Sequence, residues 1–329
     1  LRTSTVVVKV DPKAAEVELD SGERLSYDRL LLATGATPRR ISVPGAELDG
    51  VRYLRTRADS DALREAIASS VPVVVIGAGW IGAEVAASAR QQGAEVAMVD
   101  MATVPLERVL GTEVGAIYRD LHADHGVQVR LGVGIDSIRG SGRAEEVVLT
   151  DGTALPAGLV VVGVGVAART ELAEAAGLVV DNGVVVDEHL ATSAPGVYAA
   201  GDVANAWHPR YRTRIRLEHW SSALNQGPVA AKNMLGGSVP YDKVPYFYSD
   251  QYDLGMEYRG WVPEFDTVVI RGDRATRQFL AFWLKDGVAG AAMNANVWDQ
   301  NDAIDALLAQ GAAVAPDRLA DPQIPLAEV

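Results

Sequence analysis

Three glycines at fixed spacing and one carboxylate carry the clearest chemistry in this sequence. In Val73-Val74-Val75-Ile76-Gly77-Ala78-Gly79-Trp80-Ile81-Gly82-Ala83-Glu84 a β-branched run stops at a glycine and passes straight into a helix-like pattern. That order predicts a strand, a tight turn and a helix start. Gly77 lets the backbone turn, Gly79 lets it approach a pyrophosphate with no Cβ in the way, and Gly82 lets the helix lie close to the strand. An anion would then sit on the helix N-terminus, at the positive end of its dipole. Ile81, on the first turn of that helix, is counted with the glycines as a candidate for the cofactor site.

The helix is expected to run through Val85, Ala86 and Ala89 to Gly93, and Glu95-Val96-Ala97-Met98-Val99-Asp100 then reads as a second strand ending in an acid. Asp100 follows Gly82 by eighteen positions, where a carboxylate takes the ribose hydroxyls of NAD in a dinucleotide fold. The competing reading is a tight strand–helix turn with no ligand. Met101-Ala102-Thr103 brings no Arg or Lys beside Asp100. A 2′-phosphate would therefore meet a carboxylate, so the pattern favours NADH over NADPH.

Composition narrows what else the chain can do. Its 329 residues suffice for two or three domains, and 48% hydrophobic with 22% charged residues is ordinary for a globular protein. A formal charge of −13 argues against nucleic acid and anionic membranes as partners. No window approaches the roughly eighteen consecutive apolar residues of a membrane span, and the default location is the cytoplasm. The cysteine count is zero, which excludes a dithiol pair, a thiolate nucleophile and a cysteine-bound metal or cluster. Electrons, if they move, must pass through an organic cofactor. His122 and His125 lie in a charged stretch ending at a glycine and read as surface residues; no metal site is expected.

The elements that must position these groups follow in order. Val17-Glu18-Leu19 and Leu25-Ser26-Tyr27 flank a Ser21-Gly22-Glu23 turn and predict a hairpin. Asp28 to Pro38 reads as a buried strand running into a small-residue turn, with Ala33-Thr34-Gly35 within it, and an amphipathic helix is expected over about Asp59 to Ser69. Residues 101 to 185 fit the remainder of a dinucleotide-binding domain, with a hairpin around Asp151-Gly152-Thr153 and the apolar run Leu159 to Val166, a buried parallel strand ending in the glycines Gly163 and Gly165. Gly196-Val197-Tyr198-Ala199-Ala200-Gly201-Asp202 is a further strand ending in a glycine–acid pair, and a helix is expected from Asn225 to Leu235. From Pro240 the composition turns to aromatics and alternating strands, predicting an α+β domain that ends in a helix from Asp299 to Gln310.

Taken together, Ala33-Thr34-Gly35, Tyr53-Leu54-Arg55-Thr56, the glycine motif with Glu84, Leu106-Glu107-Arg108-Val109-Leu110, Val162-Gly163-Val164-Gly165, Ala200-Gly201-Asp202, Glu218-His219-Trp220 and Ser249-Asp250-Gln251-Tyr252 resemble, in this order along the whole chain, the FAD-containing, NADH-dependent ferredoxin reductases of oxygenase and cytochrome P450 systems, of the putidaredoxin-reductase type. The resemblance implies an α/β fold with two Rossmann-like nucleotide-binding domains, the first incomplete, and a C-terminal α+β domain. It divides the chain into an FAD-binding domain of residues 1–64 and 186–238, an NAD-binding domain of residues 65–185, and a reductase domain of residues 239–329. The family also opens with an FAD-binding glycine motif of its own. Only one such motif occurs here, and the chain starts at Leu1 just ahead of an apolar strand, so the sequence as written is expected to bind FAD poorly or not at all.

The resemblance also implies residue roles. Val7, Thr34 and Gly35 would touch FAD largely through backbone, Arg55 would meet a flavin phosphate or ring-edge carbonyl, Asp202 would take a hydrogen bond from the ribityl chain, and Trp220 would lie beside the isoalloxazine. Glu84 would approach the nicotinamide amide, and Gly163 and Gly165 would let NADH lie flat against the strand end. Each has a plainer reading: Asp202 as a turn cap, Trp220 as a core aromatic, Arg55 as a surface ion pair. The implied activity is transfer from NADH through FAD to a [2Fe–2S] ferredoxin, with no acid–base side chain in a catalytic role. A rubredoxin or monodehydroascorbate reductase of the same architecture, or a non-catalytic NAD(H)-responsive binding protein, are the alternatives, and a monomer or weak homodimer is expected. Arg210, Arg212, Arg214 and Arg216 alternate ahead of Glu218, which on a strand would place all four on one face as a docking patch for an acidic ferredoxin.

Overall fold

The computed structural model describes residues 1–69 and 71–329. It is a mixed α/β structure that divides into two compact units, residues 1–37 with 167–247, and residues 38–166 with 248–329. Segments 38–64 and 167–185 thus lie on the opposite side of this division from the domain assignment the resemblance implied, and residues 248–329 belong to the same unit as the glycine motif.

In the second unit the β-branched runs form a five-stranded parallel sheet, in the order Val51–Tyr53, Leu159–Val162, Val73–Ile76, Val96–Asp100, Gln128–Leu131. Alternation along a strand sends successive side chains to opposite faces. Val73 and Val75 pack with Leu63, Ile67, Val85, Ala86 and Ala89 of the helices Arg57–Ala68 and Trp80–Gln91. Val74 and Ile76 pack instead with Val147, Leu149 and Leu155. Those three come from an antiparallel meander of Ile135–Arg139, Glu146–Leu149 and Ala154–Pro156. Covered on both faces, the strands have no need of polar positions. The first helix starts two residues earlier than its apolar periodicity suggests because Thr56 and Asp59 form a capping box, each side chain bonding the other's backbone N–H.

Residues 248–329 of this unit supply most of a five-stranded antiparallel sheet, in the order Tyr246–Gln251, Leu254–Gly260, Val288–Ala295, Gln278–Lys285, Thr267–Asp273. Phe279, Phe282, Trp283 and Leu284 of its fourth strand are fully buried, and the helix Asn301–Gln310 covers one face through Ile304 and Leu307.

The first unit holds the expected hairpin, with Val17 opposite Leu25, extended by Val7–Asp11. It also holds a parallel pair, Leu30–Leu32 with Val197–Ala199, and a three-stranded sheet of Val184–Val186, Ala204–His208 and Thr213–Ile215. Val10, Leu32, Val184, Val197, Ala199 and Ala230 share its core. Its long helix runs Trp220–Met234, starting five residues before the expected Asn225 and passing through Pro228.

Candidate functional site

Ligands of open α/β sheets collect beyond the carboxyl ends of the parallel strands, and in the second unit that edge carries the glycines. Ile76 pairs with Val162 on one side and Val99 on the other, so the turns after all three strands emerge side by side. Gly77 has φ +102°, and a Cβ there would stand 2.4 Å from the Gly163 carbonyl oxygen. A Cβ on Gly82 would stand 1.9 Å from the Gly77 carbonyl oxygen, so the helix lies as close to the turn as a bare backbone permits. Gly79 differs: it is exposed, caps the helix Trp80–Gln91, and a Cβ there would meet nothing within 4 Å. Two glycines are needed for packing, whereas the third leaves open space over the helix N-terminus, as a bound pyrophosphate requires. Ile81 and Val164 project from the same edge, 40% and 39% exposed, and Gly165 turns the chain with φ +95°.

Asp100 closes this edge. One carboxylate oxygen accepts the Ala78 N–H at 2.6 Å and the other accepts Ala102 N–H at 2.8 Å. The acid therefore braces the glycine turn, and each oxygen retains a lone pair for a ribose hydroxyl. Arg55 is exposed just beyond Val51–Tyr53, whose Tyr53 pairs with Val162. Its backbone N–H is taken by Asp59.

Glu84, one turn into the glycine helix, is half-buried and accepts a hydrogen bond from Ser249 Oγ at 2.7 Å. Burial raises its pKa, the Ser249 hydroxyl works against that rise, and the Asp250 charge adds to it. Ser249 leads on to Gln251 and His122. His122 is a correction to the sequence reading: it is fully buried on the inner face of the helix Glu107–Asp124. Burial holds its pKa down at about 4, with a Gln251 hydrogen bond opposing and His125 adding to the depression. Its charged neighbours Arg119, Asp120 and Asp124 are exposed, which is why the stretch reads as surface. Among the described residues no cluster of His, Asp or Glu is suited to a metal ion, and no helix is long and apolar enough to cross a membrane.

In the first unit a second strand edge has the same design. Leu32 pairs with Ala199, and Ala200 N–H donates to the Leu32 carbonyl, so the turns Thr34-Gly35 and Gly201-Asp202 leave the parallel pair together. Both glycines have positive φ, +71° and +78°. Thr34 Oγ1 donates to the Arg169 carbonyl at 2.7 Å, Gly201 N–H donates to Gln226 Oε1 at 2.8 Å, and Asp202 is half-buried in the turn. Trp220 is the first residue of the long helix and 68% exposed, with Leu224 one turn on at 52%. It is no core aromatic. Val7 is half-buried between the exposed Val6 and Val8. A flavin fits two backbone turns and an exposed indole of this kind.

The four arginines do not share a face, which corrects the expectation of a single patch. Arg212 takes a left-handed conformation, φ +51°, and breaks the alternation at the start of Thr213–Ile215. Arg216 turns inward, its side chain only 9% exposed, and is held by Glu218, the Asp202 carbonyl and Asn182. Arg214 reaches back to the Val186 and Asn205 carbonyls while remaining exposed, as Arg210 is.

The family model for pyridine nucleotide-disulphide oxidoreductases matches residues 1–227. The chain belongs to that family. A reductase C-terminal model matches residues 246–329, the antiparallel sheet and its helices. The ferredoxin–NAD(+) reductase component of the anthranilate 1,2-dioxygenase system of Burkholderia cepacia is 39% identical over 99% of this chain and 80% of its own length. The crystal structure of the ferredoxin reductase for the CYP199A2 system from Rhodopseudomonas palustris superposes with a TM-score of 0.94 at 38% identity, over 99% of this chain and 81% of that one. The covalent putidaredoxin reductase–putidaredoxin complex gives 0.92 at 36% identity, over 98% and 79%. These 329 residues contain no cysteine, so no dithiol pair lies among them.

Ser249-Asp250-Gln251-Tyr252 marks the family in the sequence but carries no role there. The structure brings Ser249 and Gln251 behind Glu84 across 165 and 167 residues of chain. No local pattern signals that juxtaposition; the alternation of Ser249 and Gln251 on one strand face was its only trace.

Proposed function

We propose that this chain is an NADH-dependent, FAD-containing ferredoxin reductase that supplies a [2Fe–2S] ferredoxin of an oxygenase or cytochrome P450, in the cytoplasm and as a monomer or weak homodimer. The observation that carries the nucleotide half of this reading is the open face at Gly79 above a helix N-terminus, with Asp100 bonded to Ala78 N–H beside it. Gly77 and Gly82 shape the turn, Gly79 and Ile81 border the pyrophosphate, Asp100 takes the adenosine ribose, and Glu84, Gly163 and Gly165 border the nicotinamide. Thr34, Gly35, Asp202, Val7, Arg55 and Trp220 are the residues of this chain that would hold the flavin. FAD, when bound, supplies the conversion of a two-electron donor to one-electron delivery. The protein's own contribution is orientation: backbone turns without Cβ atoms let rings and phosphates lie close to the strand ends, and Glu84 offers a carboxylate oxygen to the carboxamide N–H of NADH.

In the full-length protein, NADH should bleach the flavin absorbance, and oxidised [2Fe–2S] ferredoxin should restore it within the turnover time. Bleaching without reoxidation by ferredoxin would redirect the reading to another acceptor, such as rubredoxin or monodehydroascorbate; no bleaching would favour nucleotide binding without turnover. The docking charge falls to Arg210, Arg212 and Arg214, since Arg216 is committed to the Gly201-Asp202 turn. Replacing Arg210 and Arg212 with Ala should lower ferredoxin reduction several-fold at low ionic strength, with NADH-to-ferricyanide activity unchanged. Equal losses in both activities would exclude these arginines as the patch.

A further inference from the structure

Behind Glu84 runs an unbroken series of hydrogen bonds that crosses three elements of the second unit. Ser249 Oγ lies 2.7 Å from Glu84 Oε1, Gln251 Nε2 lies 3.2 Å from Ser249 Oγ, His122 Nε2 lies 3.0 Å from Gln251 Oε1, and Tyr252 Oη lies 3.2 Å from His122 Nδ1. Ser249, Gln251 and His122 are 2%, 1% and 0% exposed, so water does not compete for these bonds.

Donor and acceptor chemistry gives the series one direction. A side-chain amide oxygen only accepts, so His122 carries its proton on Nε2 and presents Nδ1 as an acceptor. Only the Tyr252 hydroxyl proton meets that nitrogen. At the other end the Gln251 amide N–H occupies the Ser249 oxygen, and the single Ser249 proton is left for the Glu84 carboxylate. Every link is determined once its neighbour is. The far end is fixed too: Tyr252 takes φ +58°, a conformation unfavourable for a bulky side chain. It holds the ring parallel to His125 at 3.8 Å between centroids and edge-on to His122 at 5.4 Å. His125 Nδ1 in turn donates to the Leu121 carbonyl.

A network serving only the fold could end on any buried acceptor. This one ends on a half-buried carboxylate at the nucleotide edge, and it occupies one of that carboxylate's oxygens. We propose that Ser249, Gln251, His122 and Tyr252 are positioning residues that fix the rotamer of Glu84, so that its second oxygen meets the carboxamide of the nicotinamide and the C-terminal sheet thereby sets nucleotide selectivity. The proposal rests on the placement of Glu84 against the nicotinamide given above. It assigns the reductase C-terminal segment a part in holding NADH, in addition to packing.

The test is nucleotide affinity, measured by calorimetry on the full-length holoprotein with NAD+ and with its 3-acetylpyridine analogue, in which a methyl ketone replaces the amide and the N–H donors are gone. The parent protein should favour NAD+ by about tenfold, the scale of one hydrogen bond to a charged group. Ser249→Ala should reduce that preference about fivefold by weakening NAD+ alone, and Ser249→Thr, which restores a hydroxyl, should recover it. Should Ser249→Ala fail to fold, Tyr252→Phe carries the test: it keeps the stacked ring and should reduce the preference about twofold. Glu84→Ala separates the two layers of the argument. If Glu84→Ala abolishes the preference while Ser249→Ala and Tyr252→Phe leave it intact, or weaken both nucleotides equally, the positioning role is overturned and Glu84 keeps its place. If Glu84→Ala leaves the preference unchanged, the placement of Glu84 falls, and the positioning role with it.

Discussion

The two sheets of the second unit do opposite things with side chains. The parallel sheet builds its functional edge by leaving them out: Gly77, Gly82 and Gly163 bring bare backbone together, Gly79 leaves open space, and the closest approaches, at Gly77 and Gly82, are to carbonyl oxygens. The antiparallel sheet works by putting side chains in. Trp283, fully buried, donates its indole N–H to the Leu110 carbonyl just before the helix Glu107–Asp124 bends at Gly111, and Ser249 and Gln251 reach Glu84 and His122. An edge made of absences can be written into one short stretch of sequence. Support made of large or polar side chains must come from wherever the fold returns, here more than a hundred residues later.

That contrast is open to attack at both ends. Trp283→Ala should cost about 4 kcal/mol, since it deletes a fully buried aromatic and leaves the Leu110 carbonyl without its donor. Urea denaturation of the full-length protein checks this, and a cost below about 1 kcal/mol would mean the two sheets are far less dependent on each other than described. On the parallel sheet, Gly82→Ala should destabilise by about 2 to 3 kcal/mol, because its Cβ would lie 1.9 Å from a backbone oxygen that only a shift of the turn can relieve.

The support also has a pH signature. Burial holds the His122 pKa down at about 4 against an ordinary 6.5, so the unfolded chain binds this proton more readily than the folded one. Its stabilising effect is complete above pH 6.5 and is lost as the pH falls toward 4. Between pH 6.5 and 4.5 this group alone should remove about 2 kcal/mol of stability. His122→Gln should shrink the difference between denaturation curves at those two pH values by that amount. An unchanged difference would place the proton elsewhere.

Gly79→Ala sharpens the comparison within the motif itself. Three residues before Gly82, its Cβ would meet nothing within 4 Å, so the unfolding midpoint should stay where it is. NAD+ affinity should nevertheless fall about tenfold, as a methyl group enters the space over the helix N-terminus. The reverse pattern, lost stability with intact affinity, would show that Gly79 packs and does not face a ligand.

Legibility followed the same line. The strand Val73–Ile76, the turn, the helix and Asp100 were readable because each is encoded within thirty residues and their periods differ. The Leu159–Val162 strand with its glycines was readable as an unbroken apolar run. His122 was misread because its sequence neighbours are charged and exposed, whereas the residue that covers it, Gln251, lies 129 positions away. Arg216 was misread because alternation describes a regular strand, and the strand Thr213–Ile215 ends one residue before it, where Glu218, Asn182 and the Asp202 carbonyl draw the side chain inward. Trp220 shows the opposite case. The residue type alone allowed a core aromatic, the family order implied a place beside a flavin, and neither foretold the exposed position it holds at the head of its helix.

Asp100 stands between the two modes, since it is a side chain that serves the bare edge. If its sole task were to repel a 2′-phosphate, Asp100→Ala would open the site to NADPH at no other cost. The geometry requires more of it: its two oxygens accept the Ala78 and Ala102 N–H groups, and alanine would leave both donors unpaired and the glycine turn unbraced. Asp100→Asn separates the tasks. Its amide keeps the volume and one acceptor oxygen, loses the negative charge, and turns an NH2 toward one of the two backbone donors, so about 1 kcal/mol of stability should be lost. The preference for NADH over NADPH, as a ratio of kcat/KM, should narrow about fivefold because the repulsion is gone while no cation has been added. A ratio that stays put while stability falls would make Asp100 a brace for the turn and move nucleotide choice to another residue.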